Sequence, residues 1–414
     1  MTEIALTRRQ PSLWWGAMII CGTVVGAGMF TLPVVMAGAW YSWSTLILII
    51  SWSCMLLSGL MFQRVSYHYP IEAGYDTITR DLLGNVWAAI NGLSLVFVLG
   101  VLTYAYISAS GPVYQHSLNS VGINVSSAES KMLLTLFVAL VVWLGTSGIG
   151  KLMTVLLIAK MMLMAIFFGG LLKSANVNLL LNEQGTEQSY WPYVLGILPF
   201  CLTSFGYHGN ISGLIGYYAG DHQRVRKVLF TGTGMAFVVY LFWITGTMGN
   251  LPRETFPNIV RQGGDIEVLM QALNQTLHTA NLSLILSLFS HFAIICSFIG
   301  VSAGLVDYIA DRLNFEKTPT GRLKAVCLTF LPPLSTSLWI PDGFVGAIGY
   351  AGLFATLWAV IVPGLLFYQL KVKSSPANGL CFRDKVMLVI ITLFALSNIA
   401  SWLLNKLQVL PVFK

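Results

Sequence analysis

Gly22-Thr23-Val24-Val25-Gly26-Ala27-Gly28-Met29-Phe30-Thr31-Leu32-Pro33 lies inside a 54-residue run, 10–63, that holds no acidic or basic side chain. About 20 apolar residues already span a bilayer, so a run of this length must sit in lipid. Three glycines and Pro33 nevertheless fall at mid-depth of its first helix, where an unbroken helix would be cheapest. Backbone groups freed by a break cost several kcal/mol in hydrocarbon unless something polar satisfies them. A break at that depth marks a site for a bound solute or ion. The stretch therefore predicts a transporter.

Composition agrees. Of 414 residues, 9% are charged and 56% hydrophobic, whereas a soluble domain carries about 25% charged residues. The chain reads as an all-α integral membrane protein, a single transmembrane domain over 1–414, with no segment long and polar enough to stand as a soluble domain. Charge-poor runs predict eleven spans: 12–36, 41–63, 86–115, 132–149, 152–172, 192–219, 228–250, 279–306, 325–341, 343–369 and 386–408. With the N-terminus in the cytoplasm, inside segments hold 16 Lys/Arg and outside segments six, and Lys160 lies within a span. That bias is the positive-inside rule, and it sets the expected orientation. The net charge of +7 is thus topology, with anionic membrane lipid as the contact and no nucleic acid as partner. Arg8 and Arg9 before an apolar run imitate a signal peptide, but the first span is too long for one and is read as retained. The six cysteines are scattered without metal-ligand spacing, so no metal and no cofactor are expected.

The spans group as five, five and one. The sixth repeats the oddity of the first: Leu198-Pro199-Phe200-Cys201-Leu202-Thr203-Ser204-Phe205-Gly206-Tyr207-His208-Gly209-Asn210, then Ile211-Ser212-Gly213. Breaks at equivalent places in two five-helix halves, one inverted, predict a 5+5 inverted repeat with the site at the interface of the halves. Repeat one covers about 12–173, repeat two about 190–370, and an extra C-terminal helix about 386–408. In the outside loop, Ile266, Leu269, Met270 and Leu273 have helical spacing after Gly263-Gly264-Asp265. They read equally as an outer lid or as a helix resting on the membrane surface. Residues 64–85 read as a connector.

Half-helix ends make a polar site without charged side chains. Amides near Gly26, Ala27 and Gly28 suit a carboxylate, and carbonyls near Ser204, Phe205 and Gly206 suit an ammonium. Together they describe an α-amino acid; the bland alternative is a pair of glycine kinks that only aid packing. Phe205 and Tyr207 flank the second break, Tyr104 lies in span 3 and Tyr350 at the start of span 10; aromatic walls of this kind suit a flat apolar side chain. Lys160, near the middle of span 5, costs at least about 2.5 kcal/mol at bilayer centre and must face protein or water. Burial penalises its charged form, making it a candidate proton carrier; the alternative is a fixed charge in a cation site. His208 in the second break and His291 in span 8 are further candidates for proton coupling, each with a structural hydrogen bond as the plainer role. Asp307 and Asp311 read as partners of nearby basic loops.

The strings Gly22–Phe30, Asp76–Gly84, Leu102–Ala109, Ser204–Asn210, Thr247–Arg253 and Ala347–Gly352 together resemble the bacterial hydroxy/aromatic amino acid permeases, the tryptophan-specific ones most and the tyrosine permeases less. The resemblance runs nearly end to end. It implies a multi-pass inner-membrane transporter of the amino acid–polyamine–organocation superfamily, with a leucine-transporter-type fold and proton symport; the periplasmic C-terminus follows from the charge bias and the odd number of spans. Carried over by position, Thr23, Gly26, Ala27, Gly28, Phe205, Gly206 and Tyr207 would meet the substrate backbone. Lys160 would fill the place of a sodium ion between spans 1, 5 and 8, with Ser297 and Ser302 nearby. Two departures stand out. The family's glutamate near the end of span 2 is replaced here by Met61-Phe62-Gln63-Arg64, and Ser290-His291-Phe292 stands where relatives show Asn or Asp.

The resulting expectation is a proton-driven importer of an aromatic amino acid, tryptophan first, with H+ as the coupling ion. Rival readings are a tyrosine-preferring or broader aromatic permease and a passive facilitator, since broken helices also line pores. An enzyme is not expected, because no nucleophile with a base and no metal cluster appears at one depth. Lys160 argues against a second cation, and so against sodium symport.

Overall fold

The computed structural model describes residues 12–413 apart from 72, 145, 184–188, 263, 265, 278–279, 317, 342 and 375–379. Regular structure among the described residues is helical. In chain order the helices are α1 (Leu13–Val24), α2 (Ala27–Met36), α3 (Trp40–Ser66), α4 (Tyr75–Leu83), α5 (Asn85–Ser120), α6 (Ser127–Trp143), α7 (Thr146–Ser174) and α8 (Val177–Leu181). There follow α9 (Trp191–Val194), α10 (Leu198–Ser204), α11 (Asn210–Tyr217), α12 (His222–Met248), α13 (Phe256–Arg261) and α14 (Ile266–Leu277). The last are α15 (Ala280–Arg312), α16 (Pro319–Trp339), α17 (Phe344–Thr356), α18 (Val362–Ser374) and α19 (Phe382–Lys406).

Seven of these helices, or segments and joined pairs of them, are long and apolar enough to cross a membrane, and α1 with α2, bent by 53°, are so when taken together. The protein is an all-helical, multi-pass membrane protein. The expected spans 132–149, 192–219 and 325–341 fall on weaker helices. α6 has 17 residues, α10 and α11 have seven and eight, and α16 carries Arg322, Lys324, Pro332 and Pro333. One boundary moves. The chain breaks after Trp143 and helix resumes at Thr146, so Thr146-Ser147-Gly148-Ile149, read as the end of one span, open the next. Lys151 therefore lies within α7 rather than in a loop.

Burial sorts the helices. The membrane-length part of α17–α18 (Gly346–Lys373) is 67% buried and that of α3 61%, against 28% for α19, so α19 lies at the periphery. The turn joining α17 to α18, Leu357–Ile361, is a π-helix. Such a turn releases carbonyls from the i→i−4 ladder. Here hydroxyls collect two of them: Tyr75 donates to Trp358 O and Ser58 to Ala359 O. The connector helix α4 is thereby docked on the core, with Ile78, Thr79 and Leu82 buried beneath it. α14 buries Leu269, Leu273 and Met270 against α2, α5 and α15. Its apolar face is therefore turned to protein rather than to lipid; Gly263 and Asp265 before it lie outside the described residues. Asp307 pairs with Arg322 at 3.4 Å, as expected of it.

Candidate functional site

The first break is built by Gly26. α1 ends at Val24, and Gly26 stands extended at φ −137°, ψ −152° before α2 begins at Ala27. Glycine is needed for space. A Cβ at Gly26 would stand 2.5 Å from Ser297 Oγ and 2.9 Å from the Tyr106 hydroxyl, and one at Gly28 3.1 Å from Ser204 Oγ. The last carbonyls of α1 have no partner within the helix. Three of them are met from other helices. Lys160 Nζ, on α7 and fully buried, donates to Gly22 O at 3.2 Å and to Val25 O. The Tyr240 hydroxyl on α12 lies 2.6 Å from Val24 O and 2.7 Å from Ser204 O, so one O–H ties the end of α1 to the end of α10. Trp243, one turn further along α12, donates to Met29 O at 2.9 Å. The thiols of Cys21 and Cys296 stand beside Lys160.

Amide groups tell the opposite story. The first N–H groups of a helix have no intrahelical acceptor and carry partial positive charge. At the start of α2 these belong to Ala27, Gly28 and Met29; Met29 N turns back to Gly26 O at 3.1 Å. Ser204 Oγ approaches Gly28 O at 3.4 Å, which places α10 directly against this turn.

The second break spans Phe205–Gly209, between α10 and α11. Asn210 Nδ2 donates to Thr23 Oγ1 at 2.8 Å, a direct link between the two breaks, and Thr23 and Gly209 are exposed. Phe205 is buried edge-on against Tyr240, with ring centres 5.1 Å apart. The Tyr207 hydroxyl donates to Met55 O at 3.1 Å and lies over Gly59, where a Cβ would stand 2.2 Å from the hydroxyl oxygen and 2.9 Å from the ring. Gly206 N donates to Thr203 O at 3.1 Å, closing the end of α10. His208 is fully buried, stacked on Tyr207 and edge-on to Trp358. Neither of its ring nitrogens, nor Trp358 Nε1, has a hydrogen-bond partner among the described residues.

Other residues singled out from the sequence go elsewhere. Tyr104 donates to Ile340 O at 2.7 Å and lies over Gly343, bracing the α16–α17 connection. Tyr350 turns away from the breaks toward α19, where Lys406 Nζ donates to its hydroxyl at 2.8 Å and Trp402 packs on its ring. The His291 ring faces Tyr114 of α5, centres 4.5 Å apart. Ser302 spends its hydroxyl on Phe298 O at 2.6 Å, whereas Ser297 Oγ, buried beside Gly26, has no hydrogen-bond partner among the described residues. Sequence reasoning missed Tyr240, Trp243 and Trp358. Each looks like ordinary aromatic packing along an apolar helix, and no spacing signal marks it.

The geometry is thus two interrupted helices whose freed backbone groups converge, with the carbonyl side of the first held by a buried lysine. A model of the tryptophan/tyrosine permease family matches residues 9–402. The chain belongs to that family. The permease is 44% identical to the tryptophan-specific transport protein of Shigella flexneri over the whole of both chains. It is 39% identical to the low affinity tryptophan permease of Escherichia coli strain K12, again over the whole of both. The tyrosine permease of Enterobacter agglomerans is 36% identical, with 91% of this chain and 93% of that one covered. The family is one of permeases, and the chain is a transport protein rather than an enzyme.

Proposed function

We propose that this permease imports an aromatic amino acid, tryptophan first, across a bacterial inner membrane together with a proton. The observation that carries the reading is the extended Gly26 turn. It leaves first-turn amides of α2 for a carboxylate, while Lys160 and Tyr240 already hold the carbonyls of α1. Full-length similarity to transport proteins named for tryptophan supports the choice of substrate. The ammonium then meets acceptors at the breaks, with Ser297 Oγ, beside Gly26, as one of them.

This reading keeps eleven spans in a 5+5 inverted arrangement plus one, with the N-terminus cytoplasmic and the C-terminus periplasmic. The charge asymmetry of the loops supports it. A charged Lys160 grips Gly22 O and Val25 O, and a neutral one grips them more weakly, so a proton there biases α1 between two positions. Coupling follows because substrate and proton then favour the same arrangement.

The test is uptake of radiolabelled tryptophan into proteoliposomes under an inward proton gradient without sodium, with unlabelled tyrosine and phenylalanine as competitors. Accumulation above equilibrium, blocked best by tryptophan, is expected. Equilibration without accumulation would make the protein a facilitator, and tyrosine as the best competitor would move the specificity.

A further inference from the structure

A cavity of about 470 Å³ lies outside the two breaks, between α2, α10, α17 and α19. Its walls are the rings of Tyr193, Phe200, Tyr350, Trp402 and Phe413. No acidic residue is among the described residues that line it, and one cation is, Lys406. Lys406 Nζ is held at the rim by Tyr350, 2.8 Å from its hydroxyl and 5.4 Å from its ring centre, and keeps donors for an anion. Asn405, also in the lining, directs Nδ2 to Gly196 O at 3.3 Å, which leaves its Oδ1 as an acceptor near Gly196. A cation and an amide acceptor lining one aromatic-walled cavity match the carboxylate, ammonium and flat side chain of an aromatic α-amino acid. The volume falls within the range of small-molecule sites, about 300–1,000 Å³.

We infer that this cavity is a second, outer binding site for an aromatic α-amino acid, with Lys406 on the carboxylate, Asn405 Oδ1 on the ammonium and Trp402 and Phe200 on the ring. The choice of ligand rests on the function proposed above; the location rests on the cavity alone. The site shares α2 and α10 with the central breaks. Val34, Val35 and Gly38 line it from α2 and its C-terminal end, and Pro199 and Phe200 from α10. A molecule held there is therefore next to the half-helices it must pass. Phe413 covers one side and is itself fixed by the Arg253 guanidinium, 4.4 Å from its ring centre.

The experiment is saturation binding of radiolabelled tryptophan to the purified, detergent-solubilised permease, counted per chain. Two molecules per chain are expected for the wild type. Lys406→Gln and Trp402→Leu, which leave the central breaks untouched, should each bind one, and Gly26→Val, which fills the central break, should also bind one. Elution as a monodisperse species qualifies each variant, and Lys406 is exposed enough for its replacement to be tolerated. One molecule per chain in the wild type, unchanged by Lys406→Gln, would overturn the outer site and leave the central one standing. Two per chain, insensitive to both Lys406→Gln and Trp402→Leu, would overturn the location. No binding to any form would overturn the aromatic amino acid reading, and the outer site with it.

Discussion

Replacing Lys160 by methionine isolates what its charge does. The side chain is fully buried and gives two hydrogen bonds to the freed carbonyls Gly22 O and Val25 O. Hydrogen bonds from a charged group contribute about 1.5–3 kcal/mol each, so the pair holds α1 against α7 by about 3–6 kcal/mol. At about 1.4 kcal/mol per tenfold, even the lower figure is a bias of about 100-fold. Methionine fills most of the volume but donates nothing, so the bias disappears and both carbonyls are left dry. In proteoliposomes, Lys160→Met should lose uphill tryptophan accumulation under a proton gradient, the inside-to-outside ratio falling to unity. Exchange of internal for external tryptophan needs no net proton movement and should continue. Lys160→Gln, with one amide donor pair, should keep part of the grip on α1 without restoring accumulation. Wild-type accumulation by Lys160→Met would refute the assignment, and Lys160 would then be a structural donor only.

Three further perturbations test the packing around the site. Gly59→Ala places a methyl 2.2 Å from the Tyr207 hydroxyl; overpacking of this kind costs about 1–3 kcal/mol, and a lower unfolding temperature in detergent with weakened tryptophan binding is expected. Arg253 donates to Ala37 O at 3.1 Å and Gly38 O at 2.7 Å while lying 4.6 Å from the Tyr190 ring centre and 4.4 Å from that of Phe413. Arg253→Lys keeps the charge but not the fork or the stacking, so hydrogen exchange should accelerate at Val409 and Leu410, whose amides close the turn after α19 next to Phe413; unchanged protection would show the guanidinium to be dispensable. The Glu129 carboxyl is held below its usual range by the Ser126 amide and hydroxyl of a capping box. A depressed carboxylate contributes above the ordinary glutamate value of about 4.3 and loses its contribution as the pH falls through the lower, folded value. Amide protection in the first turn of α6 should therefore drop on acidification, and Glu129→Gln should remove that dependence.

Both breaks were legible because the signals are local. Gly26 and Gly28 with Pro33, and Phe205 through Asn210, interrupt apolar runs within a few residues, and an interrupted helix in lipid has few explanations. Lys160 was legible for a similar reason, since the cost of burying an ammonium is known from its depth alone. The partner that completes the first break was not. Tyr240 is 216 residues from Val24, and a tyrosine in an apolar helix looks the same whether it packs or ties two helices together. Tyr350 and Tyr207 show the limit from the other side. Both stand in motifs that suggested one central pocket around the breaks; Tyr350 instead faces α19 and lines the outer cavity, and Tyr207, within the second break, is tied to Met55. Neighbouring residues on a helix point about 100° apart, so direction depends on which helix packs where.

Membrane residence, the two breaks and the asymmetry of basic residues follow from the sequence by itself, because transfer free energy and glycine content act residue by residue along the chain. The donors that hold α1, the π-turn that receives Tyr75 and Ser58, and the aromatic cavity beside Lys406 were decided by tertiary structure. Each is a meeting of groups far apart in sequence, and a hydrogen bond or a cavity exists only once the distance and direction between them are set.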